Sequence, residues 1–216
     1  MNAISARLSG FTAALFAIVV AIGGALAFDL PDSDAPDQKW IDYVNDDGHL
    51  IRNLVGGYML VIAALLFLVF AVSMYRRFRD NASVDATWSM VMLISGITFS
   101  ASLMIGAVLC VIVAGGQELG SSTPPTAETA RWLPQTGFGV ILLAGGLSAA
   151  MSVGILNALI LQTKVLPAWI AYFGFLATLG LIAAALFLPM FIFVIWMLVL
   201  GIVLLMRSES QATATA

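Results

Sequence analysis

Residues 165–206 decide the fold: they read VLPAWIAYFGFLATLGLIAAALFLPMFIFVIWMLVLGIVLLM, 42 residues without a charged side chain. A single α-helix of that length would be about 63 Å long, roughly twice the ~30 Å hydrocarbon core of a bilayer. Pro189 is the predicted break, because proline is tolerated in the first turn of a helix and disrupts a helix interior. The run therefore predicts two membrane-spanning helices, at 166–186 and 189–206.

Four stretches upstream are also apolar, free of charge and long enough for the ~20 residues that a spanning helix needs. They cover residues 8–28, 54–75, 86–114 and 137–161, and Pro134 and Pro167 lie near the predicted starts of the fourth and fifth spans. Hydrophobic residues make up 61% of the 216-residue chain and charged residues 10%, which excludes a soluble globular protein. We predict an all-α fold: one polytopic transmembrane helix bundle of six spans over residues 1–207, followed by a disordered tail, 208–216.

The basic residues predict the orientation, because cytoplasmic loops carry an excess of Lys and Arg. With both termini in the cytoplasm, the inner side has six basic and three acidic residues, and the outer side has three basic and nine acidic residues. We therefore expect a multi-pass plasma-membrane protein with the N-terminus and the C-terminus inside. The inner basic residues are Arg7, Arg76, Arg77, Arg79, Lys164 and Arg207, and the outer ones are Lys39, Arg52 and Arg131.

The first span has a second interpretation. Arg7, an apolar core and the sequence Ala25-Leu26-Ala27 form the pattern of a cleavable secretory signal. Cleavage after Ala27 would leave five spans and an outside N-terminus. A retained span is favoured by its longer apolar stretch and by the alanine stripe, defined as Ala13, Ala17, Ala21 and Ala25, which places four small residues on one helix face.

The two outer loops differ in composition. Outer loop one, residues 29–53, holds seven aspartates, and Trp40, Ile41 and Val44 within it are spaced for a short helix at the membrane interface. Outer loop two, residues 115–136, is rich in Gly, Ser, Thr and Pro and predicts a linker. On the inner side, Arg76, Arg77 and Arg79 are expected to contact anionic lipid headgroups.

A candidate outer-face site precedes the second span. Two carboxylates, an imidazole and a guanidinium in this order have the chemistry to bind a cation or to polarise a substrate. The same residues are equally typical of a turn and a capped helix start, and both interpretations stay open. The residues are Asp46, Asp47, His49 and Arg52.

The predicted spans contain no Asp, Glu, Lys, Arg or His, which argues against a carboxylate-based ion pump. Small residues recur every fourth position and predict helix–helix seams. One alternative is a polar pathway or ligand contact at Thr98, Ser102 and Asn157, and Asn157 is also suited to an interhelical hydrogen bond. With one Cys and one His, no metal or cofactor is predicted, and the scattered basic residues predict no nucleic-acid binding.

The end of the chain carries a resemblance. Residues 166–174 read LPAWIAYFG and residues 193–201 read FVIWMLVLG. With the acidic outer loop, the His before span two and the Arg-rich inner loop, these motifs resemble an uncharacterised family of six-span bacterial membrane proteins, mainly actinobacterial. The resemblance implies a six-helix bundle in the plasma membrane and no catalytic residues.

Three functions remain open from the sequence. The first is a non-catalytic helix bundle, an accessory or structural component with a membrane-protein partner. The second is a carrier or channel for a small uncharged or lipid-like solute. The third, weaker alternative is a membrane enzyme acting at the outer face. A cavity reaching the middle of the bundle would favour the second function over the first.

Overall fold

The computed structural model describes residues 3–118, 125–183 and 190–213, and all regular structure within them is helical. The all-α fold is therefore confirmed. The elements are α1 Ala3–Ala27, α2 Asp37–Val44, α3 Asp47–Arg79, α4 Ala86–Glu118, α5 Ala127–Gly139, a π segment Val140–Gly145, α6 Gly146–Thr163, α7 Ala168–Ile182 and α8 Met190–Thr213.

Five helices are long and apolar enough to cross a membrane, which supports a multi-pass membrane protein. They are α1, α3, α4, the continuous helix formed by α5, the π segment and α6, and α8. The predicted span 166–186 corresponds to α7, which has 15 residues and is about 22 Å long, shorter than a bilayer core. The predicted break at Pro189 and the end of that span lie outside the described residues.

Several helices extend beyond the predicted spans, two of them because a side-chain cap starts the helix upstream of the apolar run. Helix α3 starts at Asp47 because the Asp46 carboxylate accepts the backbone N–H of His49. Helix α5 starts seven residues before Pro134, at the Thr126 cap, so this proline lies inside a helix and outer loop two is shorter than predicted. At the other end of the chain, α8 continues to Thr213 into the tail predicted to be disordered, and residues 214–216 are not described.

Six helical units form a closed ring. The contacts run from α1 to α3, α4, the α5–α6 helix, α7, α8 and back to α1, while α2 lies on α5 and α3. We call the end of the ring where α1 ends and α3 begins the acidic end, because it carries the acidic loops. The opposite end, which carries Arg76, Arg77, Arg79, Lys164 and Arg207, is the basic end.

Four phenylalanines from four helices fill the centre of the ring. We call them the phenylalanine cluster: Phe16 of α1, Phe67 of α3, Phe99 of α4 and Phe193 of α8. Their ring centroids lie 4.7–6.3 Å apart in all six pairings, within the range of favourable aromatic contacts. Each ring is at most 5% exposed. The cluster therefore closes the interior at about half its height.

Glycines set the closest helix approaches. A Cβ on Gly201 of α8 would lie 2.5 Å from the backbone nitrogen of Ala14 and 2.8 Å from the Gly10 carbonyl of α1. At the crossing of α4 and α5, a Cβ on Gly137 would lie 2.6 Å from the Gly106 carbonyl oxygen. Close backbone approach of this kind is how small residues associate helices in lipid. The small residues spaced every fourth position along α4 were predicted to form such a seam, and Gly106 and Cys110 among them contact Gly137 of α5.

Candidate functional site

An apolar cavity of about 230 Å³ lies between α1, α4, the π segment and α8. Helices α1 and α8 are in close contact near the basic end, at Gly10 and Gly201, whereas the cavity is lined by the parts of both helices nearer the acidic end. The two helices are thus close together towards the basic end and leave a gap on the acidic side. Every lining residue that the structure describes is apolar or glycine.

The floor of the cavity is the phenylalanine cluster. Phe16, Phe99 and Phe193 line the cavity, and Phe67 packs against all three. Phe16 lies near the middle of α1, so the cavity extends from the acidic end to about the centre of the bundle. The tightly packed rings leave it as a blind pocket at this depth.

The cavity opens sideways between α1 and α8. Ala21 and Ala25 line it and are exposed on the bundle surface, and Phe191 of α8 lines it with 47% of its surface exposed. The predicted seam along the alanine stripe is therefore wrong in its acidic half: Ala13 and Ala17 are buried against neighbouring helices, whereas Ala21 and Ala25 border the cavity.

The three polar residues proposed for an intramembrane contact lie apart from the cavity. Thr98 is exposed and donates its hydroxyl to the Ile94 carbonyl of its own helix at 3.0 Å. Ser102 is buried against Gly145 of the π segment. Neither they nor Asn157 are among the described lining residues. The structure therefore does not assemble them into one polar pathway.

Asn157 packs tightly without a hydrogen bond. It is fully buried in α6, and its amide lies directly against the backbone of Gly174 in α7. Neither its Nδ2 nor its Oδ1 has a hydrogen-bond partner among the described residues. The interhelical hydrogen bond proposed from the sequence is absent from this part of the chain, and other buried side chains tie the helices instead. For example, Asn53 donates to the Ala27 carbonyl at 2.8 Å, and Ser152 donates to the Met92 carbonyl at 2.9 Å.

The four residues of the proposed outer-face site have separate roles. Asp46 caps α3, as the capping interpretation predicts, and the His49 ring lies 5.2 Å from the Tyr43 ring. Asp46 and His49 line an open acidic pocket of about 410 Å³, but Asp47 and Arg52 do not. Arg52 instead pairs with Asp29 at 3.2 Å. Among the described residues, no group of three His, Cys, Asp or Glu side chains is arranged to hold a metal ion.

Helix α2 forms as predicted but packs on protein. Trp40 is 1% exposed and contacts Ala130 of α5, with the Arg131 guanidinium 6.0 Å from its ring. The Nη2 of Arg131 donates 2.8 Å hydrogen bonds to the Asp37 carboxylate and the Ala35 carbonyl. Sequence reasoning missed this clamp, for which the arginine five residues after the Thr126 cap was the available signal. Burial, reinforced by the charge of Asp29, raises the pKa of Tyr43 to about 12.

The basic end contains cations of two kinds. Arg79 pairs with Asp80 at 2.9 Å and lies 5.7 Å from the Tyr75 ring. Arg76 and Arg77 form no ion pair among the described residues, and Arg207 donates to the Val165 carbonyl at 2.7 Å. Arg76 and Arg77 therefore keep their charge available for an anion.

The five long apolar helices are consistent with a helical, multi-pass membrane protein. No protein-family model, curated protein or solved structure matches the chain. The cavity was missed in the sequence because its lining comes from helices far apart along the chain. The exposed pair Ala21 and Ala25 carried a weak signal, since small residues also border gaps.

Proposed function

We propose that this chain is a non-catalytic plasma-membrane protein that binds one hydrocarbon chain of a lipid-like molecule in the cavity. The observation that carries the proposal is the cavity itself: its described lining residues are apolar or glycine, and its rim residues Ala21, Ala25 and Phe191 are exposed on the bundle surface, which in the proposed topology faces lipid. A dry cavity of roughly 150 Å³ lined by Leu, Ile and Phe is enough to bind benzene, so about 230 Å³ accommodates a segment of an acyl chain. Pockets for drug-sized ligands are larger, at roughly 300–1,000 Å³, which favours one chain over a bulky solute.

The closed floor favours binding over conduction. A channel needs a continuous path, whereas the phenylalanine cluster fills the ring at mid-height with contacts between all four rings. Of the functions left open by the sequence, lipid-like ligand binding therefore has the most structural support. An accessory role with a membrane-protein partner is compatible with it.

The proposed topology has six crossings, both termini in the cytoplasm and a retained α1. It is supported by the separation of the acidic and basic ends and by α1 itself, which packs against α3 and α8 and contributes Phe16 to the core. Helix α7 crosses as a short span, which a bilayer accommodates by thinning locally. Anionic headgroups are proposed to bind near Arg76, Arg77 and Arg79, with Arg76 and Arg77 the cations not already paired.

The test is photo-crosslinking in liposomes. The probe is a phosphatidylcholine that carries a diazirine at the end of one acyl chain, and labelled residues are mapped by mass spectrometry. We expect labelling of Phe16 and Phe193, which are 0% and 3% exposed and cannot be reached by lipid outside the bundle. Labelling of lipid-facing Ile18 and Ile22 without any at the phenylalanine cluster would overturn the proposal.

A matched pair of variants separates filling of the cavity from general perturbation. Ala21→Leu places a larger side chain in the cavity, whereas Ala101→Leu makes the same change at an exposed position of α4 that is not part of its described lining. We expect Ala21→Leu to reduce labelling of Phe16 and Phe193 at least fivefold and Ala101→Leu to leave it unchanged. Equal labelling in both variants would contradict occupation of this cavity.

A further inference from the structure

The charges around the mouth of the cavity bear on which lipid it takes. Phe28 lines the cavity, and the next residue, Asp29, lines the open acidic pocket. Adjacent α-carbons are about 3.8 Å apart, well within the ~8 Å screening length at physiological ionic strength. Asp29 is itself paired with Arg52, but the pocket that it lines also contains Asp32, Asp42 and Asp46. A lipid whose chain occupies the cavity therefore holds its headgroup beside an excess of carboxylates.

The acidic end offers little compensating positive charge. Its loops hold nine acidic residues and three basic ones. Arg52 is paired with Asp29, and Arg131 is paired with Asp37. Lys39 is the remaining cation, and it lines the acidic pocket beside Asp42 and Asp46. A phosphate with net negative charge would meet carboxylates there, with two of the three cations already engaged.

The basic end provides an internal contrast. Arg76 and Arg77 form no ion pair within the described residues, so an anionic headgroup finds attraction there and repulsion near the cavity. This difference follows from the two ends of one molecule and does not depend on which end faces the cytoplasm.

We propose that the cavity selects a phospholipid whose headgroup has no net negative charge, a zwitterionic lipid, and discriminates against an anionic lipid with the same chains. The proposal rests on the proposed function, because it names the class of molecule that the same cavity takes. The selection arises from the field of the acidic end and requires no contact with any single carboxylate.

The test is a competition with the full-length protein in maltoside detergent at low ionic strength. A diazirine-bearing phosphatidylethanolamine labels the protein, and unlabelled phosphatidylethanolamine or phosphatidylglycerol with the same chains competes. We expect phosphatidylglycerol to be at least fivefold less effective in reducing the labelling of Phe16 and Phe193. In 1 M salt, where the screening length is about 3 Å, the two competitors should become equal within twofold.

Charge variants provide the controls. The combined change Asp32→Asn, Asp34→Asn and Asp47→Asn removes three exposed carboxylates that take part in no described ion pair. We expect this variant to reduce the difference in competing strength between phosphatidylethanolamine and phosphatidylglycerol at least twofold. Arg76→Gln with Arg77→Gln should leave the difference unchanged. Equal competition by the two lipids at low salt would overturn the charge selection and leave the proposed function intact. Absence of labelling at Phe16 and Phe193 would refute the proposed function itself.

Discussion

Helices α1 and α8 meet differently in the two halves of the bundle. Towards the basic end, Gly10 and Gly201 bring the two backbones together so closely that a methyl group would overlap with backbone atoms. Towards the acidic end, Ala21 and Ala25 border an open cavity. Small side chains thus permit helix contact where the partner backbone is near and leave space where it is not. The distance between the two helices, rather than the size of the residue, decides whether a small residue forms a contact or borders a cavity.

The largest expected effect comes from adding a methyl group where α1 and α8 are in closest contact. Gly201→Ala introduces a Cβ 2.5 Å from the Ala14 nitrogen, and because backbone atoms cannot move aside, α1 and α8 must separate. We expect a loss of about 3 kcal/mol, at the upper end of overpacking effects, measured by unfolding in SDS. Gly24→Ala is the matched control in the open half, where the nearest atom is 3.6 Å away. It should gain roughly 0.5–1 kcal/mol from helix propensity, so equal stability of the two variants would contradict the comparison.

The second comparison is between two buried asparagines. Asn53, near the acidic end, donates to the Ala27 carbonyl, whereas Asn157, nearer the basic end, has no hydrogen-bond partner among the described residues. Asn53→Ala should lower the free energy of unfolding by about 1–2 kcal/mol, because it leaves a buried acceptor unpaired. Asn157→Ala removes two polar atoms that make no described hydrogen bond, so its loss should be smaller, below about 1 kcal/mol. SDS unfolding of both variants measures the difference, and a loss for Asn157→Ala as large as that for Asn53→Ala would reveal a hydrogen bond in solution.

A smaller, local effect is expected at the α2 clamp. Arg131→Gln removes an ion pair and a charged donor to the Ala35 carbonyl. We expect the free energy needed to open α2 to fall by about 1 kcal/mol. Hydrogen exchange of residues 37–44 measures this opening. Arg52→Gln removes a pair that is about half exposed on both sides, for which less than about 1 kcal/mol is typical. Faster exchange in Arg52→Gln than in Arg131→Gln would reverse the predicted ranking.

The smallest effect is a titration at the same end. The pKa of Tyr43 is raised to about 12 by burial, so the folded protein retains a phenolic proton that the unfolded chain loses near pH 10. The stability contributed by Tyr43 is therefore complete below about pH 10 and is lost as the pH rises towards 12. Tyrosinate absorbance should show a late-titrating tyrosine, which Tyr43→Phe removes. Persistence of that late transition in the variant would assign it to another tyrosine.

The helices were predictable because membrane spans depend on local composition. A charge-free run long enough to cross a bilayer is visible without knowing its neighbours, which is why the all-α bundle was predicted. The boundaries depended on caps: Asp46 and Thr126 were present in the sequence, but the apolar runs were given more weight. Pro134 was expected at a helix start, but α5 begins upstream at the Thr126 cap, so this proline lies within the helix, and its carbonyl accepts from Cys110 Sγ of α4 at 3.5 Å.

The candidate site was less predictable. Polar residues were chosen as candidates because their chemistry is visible in the sequence, but Thr98 turned out to face outwards and Asp46 to cap a helix. The described lining of the cavity consists of apolar side chains and glycines from helices far apart along the chain, α1, α4 and α8 among them, and no local sequence pattern records that arrangement. For the same reason, the sequence did not show that Ala13 and Ala17 of the alanine stripe are buried between helices while Ala21 and Ala25 border the cavity.

The π segment Val140–Gly145 also limits where the length of this chain can change. Its wide turn joins α5 and α6 within one continuous helix and holds about one residue more than an α-helical turn. Deleting one residue there would allow a regular α-helix to form, with α5 and α6 close to their present rotational register. Each residue turns an α-helix by about 100°, so the same deletion within α6, between the π segment and Ser152, would rotate the rest of that helix. Ser152 would then lose the Met92 carbonyl, and Asn157 would swing away from Gly174. The π segment is therefore the place in this helix where the loss of one residue disturbs the packing least.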